Sequence, residues 1–510
     1  MTMTTPIRIL AATPRSAVAL LAPKVQRYWL DRPIKWAVTR RDRSVVDSGD
    51  AVAVPLFLDG LEPGQDYRLA TDLGEVAFRT PACSGQIDVT EYDAIPDGTD
   101  ATEAFVRAIE ALPLRGTLYV PPGRFITGPL FLRSDMVLHL AEGAELAARA
   151  DRIAWPILPA RDTAGRVLGT WEGLPDASHA ALLTAIDCQN LAITGRGVID
   201  GGGSRGDWWT WPKDTRDGAR RARTVFLSRC RDVTFTGVTI RNSPSWTVHP
   251  HLSEELIFAA LAIESPSNSP NTDGLNPESC RGVTIAGLRI SVGDDCIAIK
   301  SGKRGPITDE PTDDHLAPTR NVTVENCLLE LGHGAVVLGS EMSGDITDVT
   351  IARCDFVGTD RGLRIKTRRG RGGLVARITM TDVVMQDVAT PLAINAFYFC
   401  DADGRSEAVQ SRDPAALGRG TPRIADITVE NVIAGDATLV GAAVLGLPEA
   451  HVTGVILRRF SVGFREDAKP DIPLMAEGVQ AMLHIPLFSE CAEIVGDIDV
   501  LPAVKEIAPC

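Results

Sequence analysis

The stretch RGVTIAGLRISVGDDCIAIK (Arg281–Lys300) decides the fold, because the phrase that opens it keeps returning. QNLAIT, RDVTFT, EELIFA, RGVTIA, RNVTVE, TDVTIA, ARITMT, ADITVE and TGVILR share one hydrophobic pattern, anchored at Leu191, Val233, Leu256, Val283, Val322, Val349, Ile378, Ile427 and Val455. Successive anchors lie 42, 23, 27, 39, 27, 29, 49 and 28 residues apart, a basic period of 23–29 with three long insertions. A unit of that length cannot bury its apolar face alone and must stack on its neighbours. The units consist of short alternating runs and turn residues with almost no helical periodicity. They predict an all-β chain built as a right-handed parallel β-helix, in preference to leucine-rich or helical repeats.

Counting from each anchor turns the repeat into a map. Asp294, His333 and Asp360 all stand 11 residues after their anchors, and Gly293 and Gly332 precede the first two. Ile297, Val336, Leu363 and Leu392 stand at offset 14, and Ile299, Leu338, Ile365 and Ile394 at offset 16. Large aliphatics in every coil belong inside. Alternation then points offsets 15 and 17 outward, which places Lys300, Arg364 and Lys366 on one outer face beside the corner that carries the carboxylates. A polar solenoid corner is ordinarily a solvated turn. Adjacent like charges, a His-Gly and an Arg-x-Lys at matching offsets are more than a solvated turn needs.

The first eighty residues have a different texture. Alternating runs such as AVAVPLFL (Ala51–Leu58), with Trp29 and Trp36, predict a small antiparallel sandwich over residues 1–83, ahead of a β-helix over 84–510. Leu61-Glu-Pro-Gly64, Tyr67 and Phe78-Arg-Thr80 resemble a fibronectin type III module. DGTDATEAFVRAIEAL (Asp97–Leu112) predicts one capping helix at the start of the solenoid.

Charge and composition narrow the function. A net charge of −14 argues against nucleic acid or an anionic membrane as partner, and an anionic ligand must meet a local basic patch. No window reaches the length of a membrane helix. The apolar run Ala17–Ala22 lacks a persuasive cleavage site, which predicts a cytoplasmic protein, or a secreted or periplasmic one if the start is processed. Ten cysteines without a CxxC pair suggest neither a disulfide scaffold nor zinc. Cys188, Cys230 and Cys280, each three residues before an anchor, and Cys327 and Cys354, each five after one, read as two packed ladders.

Four motifs now carry a resemblance. NTDG (Asn271–Gly274), GDDC (Gly293–Cys296), GHG (Gly332–Gly334) and RIK (Arg364–Lys366) are similar in type and order to those of polygalacturonases, glycoside hydrolase family 28, over roughly Asp88–Val462. NSPSW, SPNTDG, KSG and LGSEMSG resemble its bacterial and plant-like branch, which includes exo-acting members. Arg221-Ala222-Arg223 departs from the Arg-Pro of many relatives.

The resemblance implies an inverting hydrolase of α-1,4-linked galacturonic acid. Asp294 would be its general acid, with Asp273 and Asp295 holding and deprotonating the attacking water. His333 would tune the acid, and Arg364 and Lys366 would bind the substrate carboxylate. Asn271, Lys300 and Tyr398 are further candidates for substrate contact, with Lys300 alternatively pairing with Asp294 or Asp295. Such chemistry needs a protonated carboxyl facing an ionised one, and crowding acids raises one pKa. It implies no cofactor and no metal, and an anionic poly- or oligosaccharide as partner, and it leaves the oligomeric state open.

Weaker signals surround this core. Trp246, His249 and the WWTW of Trp208–Trp211 are either groove walls or packed anchors. Arg368, Arg369 and Arg371 read as a solvated loop. Insertions around Gly202–Arg223, Ser301–Arg320 and Cys400–Arg423 are long enough to close one end of a groove, which favours exo action. The alternatives are a hydrolase of decorated pectin (rhamnogalacturonan or xylogalacturonan), a non-catalytic polysaccharide-binding β-helix, and a pectate lyase.

Overall fold

The structure is a computed structural model that describes residues 6–152, 154–305 and 313–502. It is a parallel β-helix, and the nine anchors form one continuous ladder. Leu191 pairs with Val233, which pairs with Leu256, and the series runs on through Val283, Val322, Val349, Ile378 and Ile427 to Val455. All nine are at most 1% exposed. Burying one such side chain contributes about 1.5–3 kcal/mol, so stacking supplies what a single coil lacks. The ladder also extends past both ends of the sequence pattern, to Met136 and Ile494.

Each anchor follows a residue with positive φ: Asn190, Asp232, Glu255, Gly282, Asn321, Asp348, Arg377, Asp426 and Gly454. Seven of these nine are Asn, Asp or Gly, the residues that tolerate the left-handed region. The bend recurs at one level in every coil and turns the chain around the core.

A second ladder faces the first. Val225 pairs with Val248, which bridges to Leu275 and then to Ile297, and the series continues through Val336, Leu363, Leu392 and Ala442. This face carries the four motifs. The predicted helix spans Thr102–Ala111, shorter than expected, because Asp97–Asp100 pairs as a strand against Gly123–Thr127. Asp100, one residue before the N-cap Ala101, accepts the Thr102 N–H at 2.9 Å.

Residues Ile7–Arg79 form two antiparallel sheets of three and four strands, packed around Leu21, Ile34, Val38, Leu58, Tyr67 and Leu69. AVAVPLFL does not form one strand. It splits between Val45–Ala53 and Pro55–Leu58, which lie in different sheets. The apolar run at Ala17–Leu21 is a fully buried strand. Val18, Leu20 and Phe57 dock on Ala259 and Ala286 of the solenoid. A Cβ on Gly237 would stand 2.5 Å from the Phe57 ring, so that coil admits the module only with glycine there. The nine described cysteines are free thiols, and both proposed ladders are buried.

Candidate active site

The inward aliphatics of the second ladder set the positions of the acids. Asp273 stands two residues before Leu275, and Asp295 two before Ile297, so they occupy equivalent places in successive coils, about 4.8 Å apart along the stack. The Gly274 N–H donates to the Asp295 carbonyl at 3.0 Å and locks that register. Asp294 sits at the bend just before the strand Asp295–Ile299. Its carbonyl accepts the His333 N–H at 3.1 Å, and its carboxylate lies 3.2 Å from His333 Nδ1. Gly332 makes that approach possible: it has φ +82°, and a Cβ there would fall 2.3 Å from the Asp294 carbonyl oxygen. The bend lets two adjacent aspartates share one cleft, which Asp273, Asp294, Asp295, Lys300, Lys366 and Tyr398 line.

Their environments differ. Asp295 is 1% exposed and takes Lys366 Nζ on one oxygen at 2.7 Å and Arg364 Nη1 on the other at 3.3 Å. Both cations lie against the Tyr398 ring, 5.3 and 5.7 Å from its centroid. Asp273 is 3% exposed, accepts Asn276 Nδ2 at 2.7 Å, and has Lys300 Nζ at 3.8 Å. Burial, reinforced by the charge of Asp294, pushes its carboxyl up to about 8. Burial would also raise Asp294, but the hydrogen bond and charge of His333 outweigh it and hold that carboxyl at about 2. The same hydrogen bond lifts the imidazole to about 9. These environments bias Asp273 toward its neutral form, and Asp294 and His333 toward their charged forms.

The outward register holds, since Arg364 aligns with Val337 and Ala393, and Lys366 with Gly339 and Asn395. The outer face is nevertheless covered. Lys300, Lys366 and Arg364 are 4%, 7% and 9% exposed. Lys300 pairs with Glu341 at 2.8 Å and more distantly with Asp273, not with Asp294 or Asp295, and lies 4.5 Å over the Trp246 ring. Asn271 lines the cleft and accepts Arg221 Nη2 on its side-chain oxygen at 2.5 Å.

The solvated-loop reading of the arginines needs correction, and the aromatic alternatives resolve. Arg368 and Arg371 are buried on Asp401, and Arg369 is clamped by Glu449 at 2.7 Å, because the third insertion folds over them. Trp208 and Trp211 stack on each other at 5.9 Å inside the core and anchor a loop. His249 is fully buried, bonded to Glu278 at 2.8 Å, with only Trp246 of this pair reaching the cleft. Arg221 and Arg223 are buried hubs, with Arg221 also donating to the Pro212 and Pro244 carbonyls at 2.8 Å.

Four charged cleft residues escaped the sequence reading: Glu172, Lys213, Glu341 and Asp401. Glu341 lay inside the quoted LGSEMSG without being singled out. The others stand outside the repeat, where offsets carry no information. Asp401 joins two insertions through Lys303 at 2.7 Å, and Lys213 reaches Glu172 at 3.2 Å. Residues 306–312 of the second insertion lie outside the described residues.

Comparison with known proteins is consistent in direction. The family model described as glycosyl hydrolases family 28 matches residues 170–451. A probable polygalacturonase of Vitis vinifera is 31% identical over 75% of this chain and 75% of its own length. An exo-poly-alpha-D-galacturonosidase of Dickeya chrysanthemi is 26% identical over 75% of this chain and 69% of its own. The crystal structure of a hyperthermoactive exopolygalacturonase from Thermotoga maritima superposes with a TM-score of 0.64 at 26% identity, covering 81% of this chain and 91% of that one.

Proposed function

The chain belongs to glycosyl hydrolases family 28, and from that premise we propose that it hydrolyses α-1,4-galacturonosidic bonds with inversion, acting from the end of oligogalacturonides. The observation that carries this reading is the stacking of Asp273 and Asp295 beside the Asp294–His333 pair, in a cleft lined by Lys366, with Arg364 bound to Asp295.

Asp295, with a cation on each oxygen, serves as the carboxylate that takes the proton of the attacking water. Asp273, neutral in the resting site, holds the same water by a hydrogen bond. Asp294 and His333 share one proton across 3.2 Å. A bound sugar displaces water from the cleft, which disfavours the separated charges and returns the proton to Asp294, where the leaving oxygen needs it. Arg364 and Lys366 offset the protein's own negative field at the point where a uronate carboxylate sits. The insertions support exo action, because Lys303 and Asp401 join two of them, and Lys213 of the third pairs with Glu172, whose hairpin also meets Lys303.

One observation favours a second assignment. Asp273 is the carboxyl pushed up to about 8 and would be the acid if proton occupancy at rest decided the role. A galacturonide with a phenolate leaving group separates the two, because it no longer needs an acid. On that substrate Asp294→Asn retains activity and Asp273→Asn does not; the reverse result transfers the role.

The reaction itself is tested on polygalacturonate and trigalacturonate, following reducing ends, absorbance of unsaturated product and the anomer first formed. Release of monomer or dimer from the outset, as the β-anomer and without unsaturation, is expected. Fragments of random length remove the exo mode, an α-anomer removes inversion, and turnover confined to rhamnogalacturonan or xylogalacturonan moves the substrate to decorated pectin.

A further inference from the structure

A uronate substrate needs cations in the cleft, and most of those present are already committed. Lys366 is bound to Asp295 and Lys300 to Glu341, both nearly buried. Lys213 differs: its side chain is 56% exposed, and its ammonium meets Glu172 at 3.2 Å, a carboxylate itself 24% exposed.

The backbone under Lys213 is held firmly. The Pro212 carbonyl accepts Arg221 Nη2 at 2.8 Å, and the Lys213 carbonyl accepts Arg220 Nη1. The same Arg221 guanidinium, fully buried, reaches Asn271 and the Pro270 carbonyl, so the Lys213 turn is tied to the loop that carries Asp273. Glu172 is fixed as well. It stands at the tip of a hairpin, Thr170–Trp171 with Leu174–Pro175, whose Gly173 carbonyl accepts the Lys303 N–H at 2.9 Å. A Cβ on Gly173 would lie 2.8 Å from Glu341 Cγ, so the tip is fitted against the cleft wall.

Lys213 emerges between the coils anchored at Leu191 and Val233, whereas Arg364 and Lys366 come from a coil beyond Asp295. The two groups of cations are thus supplied from coils on opposite sides of the three acids.

We propose that Lys213 is a specificity-determining residue that binds the carboxylate of the sugar on the N-terminal side of the scissile bond, with Glu172 holding the ammonium in place until that carboxylate displaces it. The identity of the sugar as a galacturonate rests on the hydrolase reading above. An exposed ion pair contributes little to stability, so the exchange of Glu172 for a substrate carboxylate is easy. The gain is larger than the loss because the bound sugar excludes water around the new pair. A neutral hexose has nothing to offer in exchange.

The test uses two substitutions of opposite expected sign. Lys213→Gln raises the KM for trigalacturonate about tenfold or more while kcat stays within about twofold, as for loss of a charge-assisted contact away from the reacting atoms. Glu172→Gln removes the competitor and lowers KM. On a trimer whose non-reducing-end carboxyl is a methyl ester, Lys213→Gln has no further effect. If both variants weaken together, the pair is a structural clasp and the proposal falls; equal losses on acid and ester also overturn it. Calorimetric titration with digalacturonate, with Asp294→Asn added to each protein, gives the same ranking without turnover. Lys213-dependent affinity in a protein that hydrolyses nothing keeps this inference and discards the hydrolase reading, and equal affinity in all three proteins refutes the inference itself.

Discussion

On the face of the solenoid that carries the VTI-type repeats, the outward residues Thr284, Thr323 and Thr350 stand half-buried to exposed, and away from the docked N-terminal module there are surface ion pairs such as Arg281–Glu254, whose side chains are 42% and 37% exposed. On the face that carries the motifs, Arg364 and Lys366 are as outward in register, yet they are 9% and 7% exposed and bonded to Asp295. One register therefore produces two outcomes. Loops from three insertions cover the second face and remove water from its charges, and a buried charge must be paired or it changes protonation. The repeat builds the wall, and the insertions convert one side of it into a site.

Substitutions can break this contrast in order of expected effect. Asp295→Asn lowers kcat about 10²- to 10⁴-fold, read from initial rates on trigalacturonate, if the proposed base is lost with it. Lys300→Met leaves Glu341 charged in a buried pocket and lowers stability by about 3–5 kcal/mol in chemical denaturation. Adding Glu341→Gln to it restores much of that loss, and a double variant as unstable as the single one would show that the pair is not what Lys300 supports. Ile378→Ala, in the anchor ladder, costs about 2–5 kcal/mol while kcat below the unfolding range is retained. At the far end, Arg281→Ala changes stability by less than about 1 kcal/mol, as for exposed pairs generally. A large loss at Arg281 would erase the distinction between the faces.

The Asp294–His333 pair adds a pH signature. His333 is raised from 6.5 to about 9, so its contribution is complete below about pH 6.5 and is lost as pH rises through 9. Asp294 is lowered from 3.8 to about 2, so its contribution is complete above that ordinary value and is lost as pH falls through 2. The stabilisation from the pair peaks between about pH 4 and 6.5. It amounts to about 1 kcal/mol or less, because the His333 side chain is 55% exposed and solvent screens it. Denaturation midpoints of wild type and His333→Gln across pH show the difference; a flat difference would mean that the two groups are not coupled.

Much of this was legible before any coordinates. Nine apolar anchors at a fixed phase predict their own ladder, because in-register stacking is the arrangement that buries all of them at once. The outward placement of Arg364 and Lys366 followed from alternation alone. Asp273 was reachable only through the resemblance, since the loop before Leu275 lengthens the offset from Leu256 to 19, against 14 in the coils of Ile297 and Val336. The Asn, Asp or Gly that precedes seven of the anchors was a visible signal for the recurrent left-handed bend.

What the chain determines by itself is whatever depends on spacing: the solenoid, its inside and outside, and the corner where Asp294 and His333 meet. Burial of the cations, the partner of Lys300, the raised pKa of Asp273 and the exposure of Lys213 are decided by tertiary structure. Each depends on how distant insertions fold over one face, and neither periodicity nor offset describes the distance between groups that no repeat connects.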